Sequence, residues 1–236
     1  MAPHTDIVIP VHGTREFPVE DIFQTCVASV AQHTVSYRFI FVDDASDSHC
    51  SAMVDKVAQH YPNSVLLRTH TQNWFTKAVN KGLRLVRTPR AVVLNCDTVV
   101  DAGWLDELYD VWTEVEQQTM KPVGLVGSVL NHDVVMRWRY TIPPHYVTGH
   151  CWLLSMDVIA RAAAERGMPG WYLDEMNPAN AHIRSDIEIC HRLNGMGFLT
   201  VESFKSAVGH MGGKSWGHLL SSISVLTPEY LRKIDG

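Results

Sequence analysis

The chain has no run of about 18 apolar residues, so no segment is long enough to cross a bilayer as a helix. Its opening, Met1 to Asp6, has neither the basic segment nor the apolar stretch of a secretory signal, and the expectation is a soluble, cytoplasmic protein. It has no block of like charge. With 20 Lys plus Arg against 25 Asp plus Glu, a net charge of −5 argues against broad, charge-driven binding to nucleic acid, though a local basic groove stays open. The five cysteines (Cys26, Cys50, Cys96, Cys151 and Cys190) are odd in number and include no Cys-x-x-Cys pair. That pattern excludes a disulfide framework or a zinc site of ordinary spacing and leaves reduced, buried thiols. Internal repeats and low-complexity linkers are also missing. What remains is 236 residues, 46% hydrophobic, enough for one full core, so 1–236 is expected to be a single domain.

Apolar alternation sets out the first half. Asp6 to Val11 reads as a strand, and Pro18 precedes a helix with Ile22, Phe23, Cys26, Val27 and Val30 on one face. Tyr37 to Val42 is a second strand, closed by Asp43-Asp44-Ala45-Ser46 and followed by a polar helix to about His60. Val65 to Leu67, a helix over Thr76 to Val86, and Arg90 to Leu94 continue the order. This βαβα alternation predicts an α/β fold, a mainly parallel sheet with helices on both faces. From Trp104, the residues Leu105, Leu108, Val111, Trp112 and Val115 form a one-sided stripe that reads as core packing. Val123 to Leu130 is a further strand, after which the alternation is less regular.

The run Val92-Val93-Leu94-Asn95-Cys96-Asp97-Thr98 carries the most chemistry. A β-branched strand delivers one carboxylate, Asp97, to its carboxyl end, where open α/β sheets bind ligands. Other segments stand out along the chain. Pro10-Val11-His12 and Asp43-Asp44-Ala45-Ser46 each close an apolar strand, and the Asp and Ser of the second would cap the next helix or, with a free carboxylate, accept an N–H of a ligand. Asn73 to Gly82 contains Lys77, which would meet a phosphate or stay solvated. In Ser185-Asp186-Ile187-Glu188, Ser185 and Glu188 have the spacing of a capping box, while Asp186 lies in a first helical turn whose macrodipole favours its ionised form. Val208-Gly209-His210-Met211-Gly212-Gly213-Lys214 offers an imidazole and a glycine-rich cradle, or a plain turn.

Taken together, from about residue 5 to 215, these blocks resemble the family 2 (GT2) inverting glycosyltransferases of GT-A fold, in their rhamnosyltransferase-like subgroup. Asn95-Cys96-Asp97 is similar to their degenerate Asp-x-Asp signature, and Thr98 through Gly103-Trp104-Leu105 to its continuation. Gly149-His150 and Gly170-Trp171-Tyr172-Leu173-Asp174-Glu175 resemble further family blocks. Two departures stand in the Asp186 block: Ser185 replaces a Glu, and Glu188 an Asp.

The resemblance implies that about 1–100 is a nucleotide-binding half and about 101–236 an acceptor-binding half. Pro10, Val11, His12, Asp43, Asp44, Asn73, Lys77, Asn95, Cys96 and Asp97 would bind the nucleotide. Asp97 and His210 would hold Mn2+ or Mg2+, the imidazole tilting the choice toward manganese. Asp186 would be the catalytic base, and Gly149, His150, Trp171, Asp174, Glu175 and Glu188 would line the sugar and acceptor side. The implied reaction moves a sugar from a UDP- or dTDP-type donor to a hydroxyl of a glycan or lipid-linked sugar. Two alternatives stay open. One is transfer to hydroxymethylated pyrimidines in DNA, with Arg137-Trp138-Arg139-Tyr140 as a platform. The other is a non-catalytic sugar-nucleotide-binding module.

Overall fold

The computed structural model describes residues 2, 4–129, 139–142, 146–170, 172–174, 185–206 and 208–211. Strands β1 (Thr5–Val11), β2 (Tyr37–Asp44), β3 (Ser64–Thr69) and β4 (Arg90–Leu94) alternate with helices α1 (Glu20–His33), α2 (Ser48–His60) and α3 (Trp74–Leu83). The strands pair in parallel in the order β3-β2-β1-β4. Because helices cover both faces, β1 is buried along its whole length, which its apolar run anticipates. Side chains alternate across it with period two. Ile7 and Ile9 join α1, α2 and α4 (Trp104–Thr119) in one core, while Val8 joins α3, α5 (Met156–Glu165) and α6 (Ser185–Gly195) in the other. The predicted α4 stripe, Trp104 to Val115, is buried throughout.

The second half widens the sheet. β6 (Val123–Ser128), β7 (Tyr140–Thr141), β8 (Cys151–Ser155) and β9 (Leu199–Ser203) complete an eight-stranded order, β3-β2-β1-β4-β8-β6-β9-β7. β8 runs antiparallel to both β4 and β6, and β7 antiparallel to β9, so the sheet is mainly rather than wholly parallel. Since β8 bonds to β4, the sheet passes without a break from the first half to the second. A separate antiparallel ribbon joins β5 (Thr98–Val100), immediately after Asp97, to β10 (Val208–His210). Among the described residues no helix is long and apolar enough to cross a membrane.

α3 begins two residues earlier than the pattern suggests, at Trp74, and lies unusually close to the sheet. Gly82 makes that approach possible: a Cβ there would sit 2.4 Å from Val8 Cγ1 and 3.0 Å from Val42 Cγ2, both stiff β-branched core side chains. Gly82→Val is therefore expected to destabilise the protein by about 1–3 kcal/mol through overpacking, read as a lower urea midpoint at unchanged slope.

Candidate active site

Asp97 leaves β4 at its carboxyl end, and the β5–β10 ribbon brings the late histidine to it. His210 pairs in register with Thr98, and Met211 N–H donates to the Asp97 carbonyl at 2.8 Å. His210 Nε2 then lies 3.1 Å from Asp97 Oδ1, in a site where the acid is 2% exposed. Burial pulls the imidazole pKa down, but the hydrogen bond and charge of Asp97 outweigh it, and the net shift is upward. The two donors suit a divalent cation. Adjacent ligands on an octahedral ion with bonds of about 2.1 Å sit roughly 3 Å apart, and an oxygen with a nitrogen suits manganese. The described residues hold no cluster of three or more His, Cys, Asp or Glu, so the remaining ligands would be phosphate oxygens and water. Asn95 Oδ1 is also buried there without a hydrogen-bond partner, an acceptor still available to a ligand. Cys96, by contrast, is 3% exposed with its thiol pKa raised well above the ordinary value by burial, so only its backbone is suited to a nucleotide.

Residues 149 and 150 link this centre to α6. The His150 carbonyl accepts from Asn95 N–H at 2.9 Å, and its ring centroid lies 5.6 Å from that of His210. Its Nε2 is 2.7 Å from Ser128 Oγ and the residue is 3% exposed. Gly149 donates its N–H to Asp186, and a Cβ at Gly149 would stand 3.6 Å from Asp186 Cβ and 3.1 Å from Trp152. Asp186 thus lies one residue from His150, which neighbours the metal-type pair. The helix-start amides do not prevail as the sequence suggested. Burial raises the Asp186 pKa more than the N–H groups of Ile187, Asp186 and Gly149 lower it.

The acids at the end of β2 are held by protein donors. Asp43 is fully buried, accepting from Ser46 N–H at 3.1 Å, Ser51 Oγ at 2.8 Å and Arg68 Nε at 2.8 Å. Burial raises its pKa, but those bonds outweigh it and hold the carboxyl below the usual range. Asp44, 1% exposed, accepts from Thr69 Oγ1 at 3.0 Å, Asn73 Nδ2 at 2.9 Å, and the Asn73 and Trp74 N–H groups at 2.8 Å each. A carboxylate has about four lone-pair sites, so the four donors on Asp44 leave none for a base imide, while Asp43, with three donors, is fully buried. Asp44 instead fixes the start of α3, and the Asn73 side chain is spent on it. His12 Nδ1 meets the Asp44 carbonyl at 2.8 Å, so Pro10, Val11 and His12 do lie beside the end of β2. Lys77 is exposed one turn into α3.

On the acceptor side, Asp174 is 7% exposed and bound by Arg166 at 2.8 Å. Glu188 bridges Arg166 at 3.0 Å and Arg192 at 2.9 Å, and receives the Asp174 N–H at 3.4 Å. Both acids therefore fasten α5, α6 and the 172–174 segment together. The Asn80 amide adds a second fastening, pairing with both backbone groups of Leu173 at 2.8 and 2.9 Å. Arg166 escaped sequence reasoning because no local pattern marks a residue that acts 22 positions away. Trp171, Glu175, Arg137, Trp138, Gly212, Gly213 and Lys214 lie outside the described residues.

A mainly parallel sheet with a buried acid at a strand's carboxyl end is the arrangement in which open α/β proteins bind their ligands. The chain belongs to glycosyl transferase family 2, whose model matches residues 6–127. Its fold is similar to that of the mannosyltransferase PcManGT from Pyrobaculum calidifontis, solved with GDP-Man and Mn2+: TM-score 0.62, 15% identity, covering 89% of this chain and 57% of that one. It is also similar to S. aureus TarS 1-349, with TM-score 0.59 and 10% identity, covering 88% of this chain and 60% of that one. The chain thus spans less than two thirds of either neighbour while sharing their GT-A glycosyltransferase architecture. A comparison with curated proteins returns no match.

Asp44→Ala is expected to lose about 1–3 kcal/mol of stability, because it strands the Asn73 and Trp74 N–H groups, whereas the Thr69 hydroxyl keeps the Thr71 carbonyl at 3.0 Å. Urea unfolding without ligand measures this; an unchanged midpoint would return Asp44 to a purely ligand-binding role.

Proposed function

We propose that this chain is one GT-A unit acting as a metal-dependent, inverting glycosyltransferase, with a UDP- or dTDP-sugar as donor and a glycan or lipid-linked hydroxyl as acceptor. The observation that carries the reading is the 3.1 Å approach of His210 to buried Asp97, joined through His150 and Gly149 to Asp186. Assignment to the rhamnosyltransferase-like subgroup rests on the order and spelling of the motifs alone. The Mn2+ in the mannosyltransferase neighbour supports a divalent ion here.

Asp97 and His210 would hold the ion beside the diphosphate, where it supplies Lewis-acid stabilisation of the charge on the leaving group. Asn95, through its buried and unpartnered Oδ1, is suited to a ribose hydroxyl or a water in that shell. Asp186 takes the proton from the acceptor hydroxyl. The freed oxygen then forms its bond to the anomeric carbon as the bond from that carbon to the diphosphate oxygen breaks, and one displacement inverts the configuration. A desolvated carboxylate is a stronger base than a solvated one, and its raised pKa brings it closer to working pH. The network of Arg166, Arg192, Glu188 and Asp174 holds the helix that carries it. Transfer to DNA draws little support, because Arg139 is bound by Glu107, Asp110 and Glu114, and Tyr140 donates to Gln118.

Since Asp186 works deprotonated and its pKa is raised, kcat/KM is expected to rise with pH through a limb above the ordinary aspartate range. Asp186→Asn should abolish that limb and cut transfer by about 10²–10⁴ while leaving nucleotide affinity intact. Full turnover by a folded Asp186→Asn protein would remove it from the base role. Chelation is expected to suppress both transfer and slow donor hydrolysis, with manganese restoring them; hydrolysis that survives exhaustive chelation would end the metal reading.

A further inference from the structure

His150 sets a second imidazole against that of His210, and the two rings come from different parts of the fold. His210 stands on the β5–β10 ribbon, whereas His150 immediately precedes β8 of the eight-stranded sheet. The β6–β8 ladder ends with Gly127 opposite Trp152, so Ser128 and His150 lie just beyond its last pair. There Ser128 Oγ is 2.7 Å from His150 Nε2, with the serine 0% and the histidine 3% exposed. The His150 backbone is held as well, its carbonyl accepting the Asn95 N–H at 2.9 Å. This fixed ring meets His210 edge-on, with 5.6 Å between centroids and 62° between planes.

His210 needs such a support. An imidazole that binds a metal is ordinarily oriented by a hydrogen bond from its other ring nitrogen. His210 Nδ1 is buried and has no hydrogen-bond partner among the described residues. Its Nε2 has Asp97 Oδ1 at 3.1 Å, but a contact with a proton between the two atoms cannot persist once both turn their lone pairs to one cation. From this we infer that His150, locked by Ser128, is the positioning residue that keeps the His210 ring at its working angle for the cation. The inference rests on the metal-dependent reading above and extends it to two residues outside the Asp97–His210 pair. In a close-packed interior a fixed neighbouring ring leaves little room for the other to turn. A ligand already held in place gives up little freedom on binding, which favours affinity.

Loss of the free-ion signal of Mn2+ in electron paramagnetic resonance tests this on wild type, His150→Ala, Ser128→Ala, their double variant, Asp97→Ala and Gly82→Val, each well below its melting temperature. His150→Ala should weaken Mn2+ binding by about tenfold or more, the range for a residue that orients a metal ligand, and change the line shape of the bound ion. Ser128→Ala should weaken it by about threefold or more, the span of one lost hydrogen bond. The double variant should match His150→Ala within about twofold, because Ser128 acts through the imidazole. Gly82→Val, destabilised in the packing of α3, should bind Mn2+ as wild type does. Wild-type affinity in a folded His150→Ala protein would overturn the inference. So would an equal loss in Gly82→Val, which marks destabilisation as the cause. If His150→Ala does not fold, Ser128→Ala decides, and unchanged affinity there overturns the positioning role. Binding that is absent in wild type, or that survives Asp97→Ala, would instead end the metal reading and this inference with it.

Discussion

A carboxylate removed from water is costly unless something nearby favours its charge, and the site is organised around meeting that requirement for Asp97. A histidine 113 positions along the chain would be an improbable partner if it were tethered only by a loop. The short ribbon after Asp97 instead gives it a register, with His210 opposite Thr98 and the Met211 amide on the Asp97 carbonyl. The pair is therefore fixed by backbone hydrogen bonds before any ligand arrives. A preorganised charge of this kind does not have to reorganise as negative charge builds on a leaving group.

Elements with a strong local pattern were readable from the amino-acid order. β1, β2 and β4 are continuous apolar runs because both faces of the sheet are covered, and the α4 stripe is wide and aromatic. α5 was not foreseen, since its buried face uses Ala162 and Ala163 beside Val158 and Ile159, a weak contrast with its polar face. β5 and β10 are three residues each and exist only as partners of one another, so neither has a local signature. That Asp97 leaves the carboxyl end of β4 was legible from the apolar run before it. The antiparallel insertion of β8 was not, because strand direction depends on contacts far away in sequence.

The site followed the same rule. Residue types were legible, but their hydrogen-bond partners were not. Asp43 and Asp44 look alike as neighbours after a strand, yet one is tied to Arg68 and the other to the start of α3. Arg68 and Asn73 come 25 and 29 residues later, and only the fold shows that they reach back. Asp186 shows how competing effects are resolved by magnitude. A helix terminus favours a carboxylate by a fraction of a kcal/mol to about 2 kcal/mol, which burial readily exceeds, so the favourable amides fail to keep its pKa low.

The placement of β8 also bears on how the molecule comes to be folded. β4 has β1 on one side and β8 on the other, and β8 lies more than fifty residues further along the chain. Until β8 is synthesised, Val92, Val93 and Leu94 form a bare, apolar sheet edge, the kind of surface that recruits strands from other molecules. A nascent chain interrupted near residue 100 would carry Asp97 on an unprotected margin, open to aggregation. The strand that closes that margin also leads directly from Gly149 and His150, so shielding the edge brings the His150 carbonyl to Asn95, while Asp186 and His210 join only after α6 and β10 have followed.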